Sequence, residues 1–315
     1  MKIPLLILID SVHDFLPAIE DRGFRCILAT TPEERARAIR DHADEIRVVL
    51  TRGATGFRAD EMAALPRLSL ICSLGVGFEN IDLAAARARG VQVTHGPGAN
   101  ATSVADHAMA LLLGVARHLP QADAWVRQGH WSGFMGPQVS GKRLGILGLG
   151  SIGLEIARRG ANGFGMTVGY YSRRARPDCG YAYYDSPRAL AEASDFLVVA
   201  TPGGAETRHL VDAAVLDALG PQGYLVNIAR GSVVDTDALI AALAGRRIAG
   251  AGLDVVEGEP VVPPALLALD NVVLTPHSAG RSPEAVSATV ALFLENAGAH
   301  FAGQAVLTPV PPPRG

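Results

Sequence analysis

A chain of 315 residues, 49% hydrophobic and 19% charged, is long enough for two domains with full cores. Its formal net charge of −3 and dispersed arginines give no pull toward nucleic acid or an anionic membrane. Cys26, Cys72 and Cys179 are too few and scattered for a disulfide framework, and the nine histidines lack ligand spacing, so no metal is expected and a reduced cytoplasm fits.

From the N-terminus, short apolar runs alternate with helical patterns. Residues 4–9, 25–29, 48–51, 70–72 and 91–94 read as buried strands. The first meets Asp10 too soon for a secretory signal. Residues 14–22, 32–42, 59–65 and 83–89 read as helices, and Thr31-Pro32-Glu33-Glu34 supplies a cap, a first-turn proline and early carboxylates. Regular alternation predicts a parallel sheet covered by helices.

Gly96-Pro97-Gly98 punctuates the chain. A helix over about 103–118, apolar nearly all round, is expected to be buried. Its apolar core, 108–116, is far short of a membrane span. A looser stretch over 120–141 holds Trp125 and Trp131.

Next comes the most informative passage. The apolar run 143–147 reads as a strand and 152–161 as a helix, and between them Gly148, Gly150 and Gly153 form G-x-G-x-x-G. The first glycine permits a tight turn, the second lets backbone approach a pyrophosphate, and the third lets helix and strand pack closely. The amides of the turn, Gly148 through Leu149, Ser151 and Ile152 to Gly153, then face the anion. A second strand over 166–171 runs into Ser172-Arg173-Arg174. An NAD site places a carboxylate here; a hydroxyl and two guanidiniums suit a 2′-phosphate, so NADP(H) is expected. Glycines at 160 and 163 are expected to fray the helix end, where the spacing to the next strand carries one extra residue.

Further strands fall near 196–200, 223–228, 248–254 and 271–274, and a last helix over 283–301 is expected to cross back to the first domain. The proline-rich end, 308–313, reads as a mobile tail. Three motifs stand after the strands: Asn227-Ile228-Ala229-Arg230-Gly231, Asp254 to Pro260, and Thr275-Pro276-His277-Ser278-Ala279-Gly280. Their Arg230, Glu259 and His277 are what carbonyl reduction needs. A cation polarises the ketone and grips a carboxylate, an imidazolium donates a proton, and a carboxylate orients the ring.

These motifs, with GLGSIG, resemble the D-isomer-specific 2-hydroxyacid dehydrogenases over nearly the whole chain. The resemblance implies two doubly wound parallel-sheet α/β domains with a cleft between them. A flavodoxin-like substrate domain would span 1–98 and 281–315, and a Rossmann cofactor domain with a dimerisation arm 99–280. It implies His277 as acid/base, Glu259 as its partner and Arg230 as the electrophile that binds substrate. It also implies Val76 and Gly77 as amide donors to the substrate carboxylate, Asp254 beside the nicotinamide, and cofactor contacts at Thr201, Pro202, Thr207, Ile228, Ala229, Arg230, His277 and Ala279. Leu50, Arg52, Phe78, Trp131, Phe134 and Met135 are candidates to line the side-chain pocket. Arg281-Ser282-Pro283 departs from the family's pattern. The implied function is NADPH-dependent reduction of glyoxylate or hydroxypyruvate by a homodimer. The alternatives are a 2-ketogluconate or aryl-pyruvate reductase, phosphite oxidation, or a dinucleotide-sensing corepressor.

Overall fold

Branched and aliphatic runs become the central strands, buried on both faces as a helix-covered parallel sheet requires. The computed structural model describes residues 2–311 and divides them into two units, 2–100 with 280–311, and 101–279.

In the first unit β1 (Ile3–Ile7), β2 (Phe24–Leu28), β3 (Val48–Thr51), β4 (Leu70–Ser73) and β5 (Gln92–Thr94) are all parallel, in the order β2-β1-β3-β4-β5. This is the flavodoxin-like order. Leu6, Val49 and Ile71 face α2 (Pro32–Asp41), α3 (Ala59–Ala63) and α4 (Leu83–Ala88). Ile7, Leu50 and Leu70 face α1 (Leu16–Asp21) and a last helix, Pro283–Phe301, which returns to this unit as expected. Thr31 and Glu34 form a reciprocal capping box on α2. The unusual Arg281-Ser282-Pro283 is a helix start: Ser282 Oγ accepts from the Ala285 amide at 3.1 Å and Pro283 opens the first turn.

The expected mobile tail is corrected over its first residues. Thr308 N donates to Asn296 Oδ1 at 3.0 Å, Thr308 Oγ1 donates to His95 O at 2.6 Å, and Val310 N donates to Val93 O at 3.0 Å. Residues 308–310 thus extend the sheet antiparallel to β5, with Pro309 opposite Thr94. Pro309 does not prevent this, because only one side of an edge segment needs to pair. Pro312 and Pro313 lie outside the described residues.

In the second unit seven parallel strands run β12-β11-β10-β9-β6-β7-β8. They are β6 (Arg143–Leu147), β7 (Thr167–Tyr171), β8 (Ala182–Tyr183), β9 (Phe196–Val199), β10 (Tyr224–Asn227), β11 (Gly250–Leu253) and β12 (Val272–Leu274). The order reverses between β6 and β9, the switch point where open α/β sheets bind ligands. The apolar α5 (Ala101–Ala116) buries Val104, Ala108, Leu111, Leu112 and Val115 in this unit's own core. Residues 120–141 are not uniformly loose: His118 turns left-handed at φ 53° and α6 (Leu119–Arg127) follows, with proline in its first turn.

Helix α7 (Ser151–Arg158) does not fray at its glycines. It widens into a π-helical turn, Arg159–Gly163, which takes up the extra residue. Gly160 makes this possible. A Cβ there would stand 2.5 Å from the buried Leu144 Cδ2.

Candidate active site

The glycine turn follows β6 at the switch point. Gly148 has φ +97°, and a Cβ on it would lie 2.8 Å from Ala200 O. A Cβ on Gly153 would lie 2.1 Å from Gly148 O, so α7 can approach its strand only as glycine. Gly150, the residue before Ser151 and Ile152, faces open space. Thr201, in the loop after β9, has a buried hydroxyl with no hydrogen-bond partner among the described residues. Bare amides, a close glycine and an orphaned hydroxyl fit a dinucleotide. Thr207 Oγ1 donates to Pro202 O at 2.8 Å and shapes the same loop.

At the end of β7, Ser172 Oγ donates to Arg174 O at 2.6 Å. Arg173 pairs with Glu206, and Arg176 Nη1 donates to Leu149 O at 2.8 Å, tying this loop to the glycine turn.

Arg230 stands past the end of β10. The buried Asn227 holds its loop: Asn227 Nδ2 donates to Arg230 O at 3.1 Å, and Asn227 Oδ1 accepts from the Ala229 amide at 3.0 Å. Ile228 and Ala229 are buried beneath. Gly203 presses on the arginine stem; a Cβ there would come within 2.7 Å of Arg230 Cγ.

His277 Nδ1 meets Glu259 Oε1 at 2.5 Å. Burial is the largest effect on the Glu259 carboxyl and pushes it up. The hydrogen bond and charge of His277, the Val256 amide and the charge of Arg230 outweigh it together and hold the carboxyl below its ordinary 4.5. His277 itself is left-handed, φ 50°. Asp254, only 2% exposed, fixes that loop. Its Oδ1 accepts from Thr275 Oγ1 at 2.7 Å and from the Ser278 amide at 2.8 Å; its Oδ2 accepts from the Ala279 amide at 3.0 Å. His107, on α5, reaches Thr275 Oγ1 at 2.9 Å and Asp254 Oδ1 at 3.4 Å.

In the first unit, Gly75 O accepts from the Gly96 amide at 2.6 Å, and His95 Nδ1 lies 3.0 Å from Val76 O. Each trans peptide points its N–H opposite its C=O. The amides of Val76 and Gly77 therefore point away from Gly96 and His95, respectively. Ser73 Oγ holds Gly77 O at 2.5 Å. Leu50 is wholly buried in the core and is corrected as a pocket-lining candidate: it sits mid-sheet, where β3 is covered on both faces.

Residues 109–279 match the model of the D-isomer specific 2-hydroxyacid dehydrogenase NAD-binding domain. The chain belongs to the D-isomer-specific 2-hydroxyacid dehydrogenases. This dehydrogenase is 41% identical to glyoxylate/hydroxypyruvate reductase A of Arabidopsis thaliana, over 92% of this chain and 93% of that protein. It is also 41% identical to 2-ketogluconate reductase of Gluconobacter oxydans, over 95% of this chain and 97% of that one. A solved structure of NADPH-dependent glyoxylate/hydroxypyruvate reductase from Sinorhizobium meliloti, in complex with NADP and malonate, superposes with TM-score 0.85 at 38% identity, covering 98% and 97% of the two chains. The dehydrogenase is thus an oxidoreductase with a nicotinamide-cofactor domain. Among its described residues no His, Cys, Asp and Glu cluster could hold a metal, and no helix is long and apolar enough to cross a membrane.

Sequence reading named Asn227 only as the start of its motif, without a role, and missed His107 and Gly203. Asn227 and His107 were detectable as polar residues in apolar runs. Gly203 carries no sequence signal, because its partner Arg230 lies 27 positions away.

Proposed function

We propose that this dehydrogenase reduces a small 2-oxoacid, glyoxylate or hydroxypyruvate, with NADPH. The carrying observation is the 2.5 Å contact of His277 Nδ1 with Glu259 Oε1, within reach of the Arg230 charge. Arg230 grips the substrate carboxylate and polarises the ketone oxygen; the amides of Val76 and Gly77 also take the carboxylate. The bound nicotinamide supplies a hydride to the carbonyl carbon. With Nδ1 on Glu259, the proton for transfer sits on His277 Nε2. The carbonyl π pair moves onto oxygen, which takes that proton and leaves a neutral imidazole. Glu259 remains ionised throughout. Asp254, Thr201, Pro202, Thr207, Ile228, Ala229 and Ala279 are assigned to the nicotinamide half of the cofactor.

NADPH is favoured because Ser172, Arg173 and Arg174 stand where a carboxylate would repel the 2′-phosphate. The similar Sinorhizobium reductase is described as NADPH-dependent. A homodimer built on 101–141 is supported by the apolar surface after α6, and the three free cysteines support a reducing cytoplasm.

Initial rates with glyoxylate, hydroxypyruvate, 2-ketogluconate and phenylpyruvate, each with NADPH and NADH, test this reading. Activity on the first two with a clear NADPH preference is expected. Equal use of NADH removes the coenzyme assignment. Best activity on 2-ketogluconate or phenylpyruvate moves the substrate to the second reading, which the Gluconobacter oxydans relative and the Plectranthus scutellarioides hydroxyphenylpyruvate reductase, both 41% identical, make the natural alternative.

A further inference from the structure

Strand β6 lies between β7 and β9, and all three ends converge at the glycine turn. Gly148 N donates to Tyr171 O at 2.8 Å, and Ala200 N donates to Leu147 O at 2.8 Å. Across this convergence runs one ion pair. Arg173, two residues past β7, joins Glu206, in the short 3-10 turn Ala205–Thr207 after β9. The pair thus links the loops on either side of β6, over the turn where the dinucleotide backbone is expected. Glu206 has no part in the chemistry described above, and its carboxylate occupies the guanidinium assigned to the 2′-phosphate.

We propose that Glu206 is a specificity-determining residue that competes with the 2′-phosphate for Arg173; this rests on the NADPH reading above. With NADH, Arg173 keeps its carboxylate and gains nothing. With NADPH, the guanidinium exchanges one carboxylate for a phosphate dianion, a stronger, bidentate acceptor. The exchange carries a cost, because the released carboxylate is a like charge beside the phosphate. Both side chains are more than half exposed, so the pair is weak enough to break on each binding event. Glu206 therefore lowers the preference for NADPH without abolishing it.

Calorimetric titration with NADPH and NADH at low salt tests this in wild type, Glu206→Gln, Arg173→Ala and the double variant. Glu206→Gln should raise the ratio of the NADH Kd to the NADPH Kd about three- to tenfold, the worth of one regained charged contact. In the Arg173→Ala background the same change should gain less than about twofold, because no guanidinium remains to release. The probe 2′-phosphoadenosine 5′-phosphate, set against AMP, should show the same pattern and isolates the phosphate from the nicotinamide. An unchanged or lowered ratio in Glu206→Gln, with Arg173→Ala collapsing the preference, overturns the role of Glu206 alone. A clear wild-type preference that Arg173→Ala leaves unmoved overturns the proposal but not the NADPH reading, whereas a wild-type ratio near one overturns both.

Discussion

His277 and Glu259 act as one unit. Glu259 meets the ring at Nδ1, and in the proposed reaction this leaves Nε2 for the substrate. His277→Ala should lower turnover by about 10²–10⁴, the usual worth of a general acid. The carboxyl of Glu259 is held below 4.5, so its charge partnership is complete above that pH and is lost only as the pH falls through the lowered value. The acid limb of reduction should therefore lie below pH 4.5. Glu259→Gln removes that titrating carboxyl, so the acid limb it sets should disappear from the profile. A pH–rate profile that Glu259→Gln leaves in place would show that the carboxylate only orients the ring. Asp254 is a separate case. Its three donors leave no place for an amide NH₂, so Asp254→Asn should cost about 1–3 kcal/mol in urea unfolding. The reacting side chains were legible in the sequence, since Arg230, Glu259 and His277 sit in short motifs after strands. Of the residues that hold them, His107 and Asn227 show in the sequence only as polar residues in apolar runs; the role of His107 depends on how α5 packs, whereas Asn227 bonds within its own motif.

Helix α7 shows how one residue sets an element. Gly153 is needed because any Cβ meets the Gly148 carbonyl, so Gly153→Ala should destabilise by about 1–3 kcal/mol and weaken NADPH binding. Gly163, in the π turn, has open space around it and no positive φ. Gly163→Ala should instead stabilise by about 0.4–1 kcal/mol. Urea titration of the two variants separates a packing demand from chain entropy; equal effects would remove the distinction. Strand positions were readable to within a few residues because apolar runs mark them directly, except β8, a two-residue exposed edge strand with no such run. The π turn and the pairing of 308–310 were not readable. The first depends on contact with Leu144, and the second on an edge strand some 200 positions earlier. Removing residues 305–315 should leave the buried Asn296 without Thr308 and lower the melting temperature, with the loss confined to the first unit's hydrogen-exchange protection.

At the scale of the whole molecule, the apolar character of 101–141 divides into two parts. Helix α5 spends its apolar side chains inside its own unit, so it does not by itself demand a partner. Beyond it, Trp131 is 90% exposed and Met135 96%, with Leu119, Val126 and Phe134 also in water. Trp125 stacks on His130, and its indole N–H donates to Ser132 Oγ at 2.8 Å, so the segment is ordered rather than trailing. An ordered surface this apolar supports the proposed homodimer interface. Light scattering at micromolar concentration should therefore give twice the chain's 32.9 kDa. Trp131→Ser with Met135→Ser should shift the equilibrium toward monomer, because burying such side chains at an interface is worth about 1.5–3 kcal/mol each. Far-UV circular dichroism should be unchanged, since neither side chain belongs to a core. A wild-type mass near 32.9 kDa at those concentrations would assign the patch to something other than self-association.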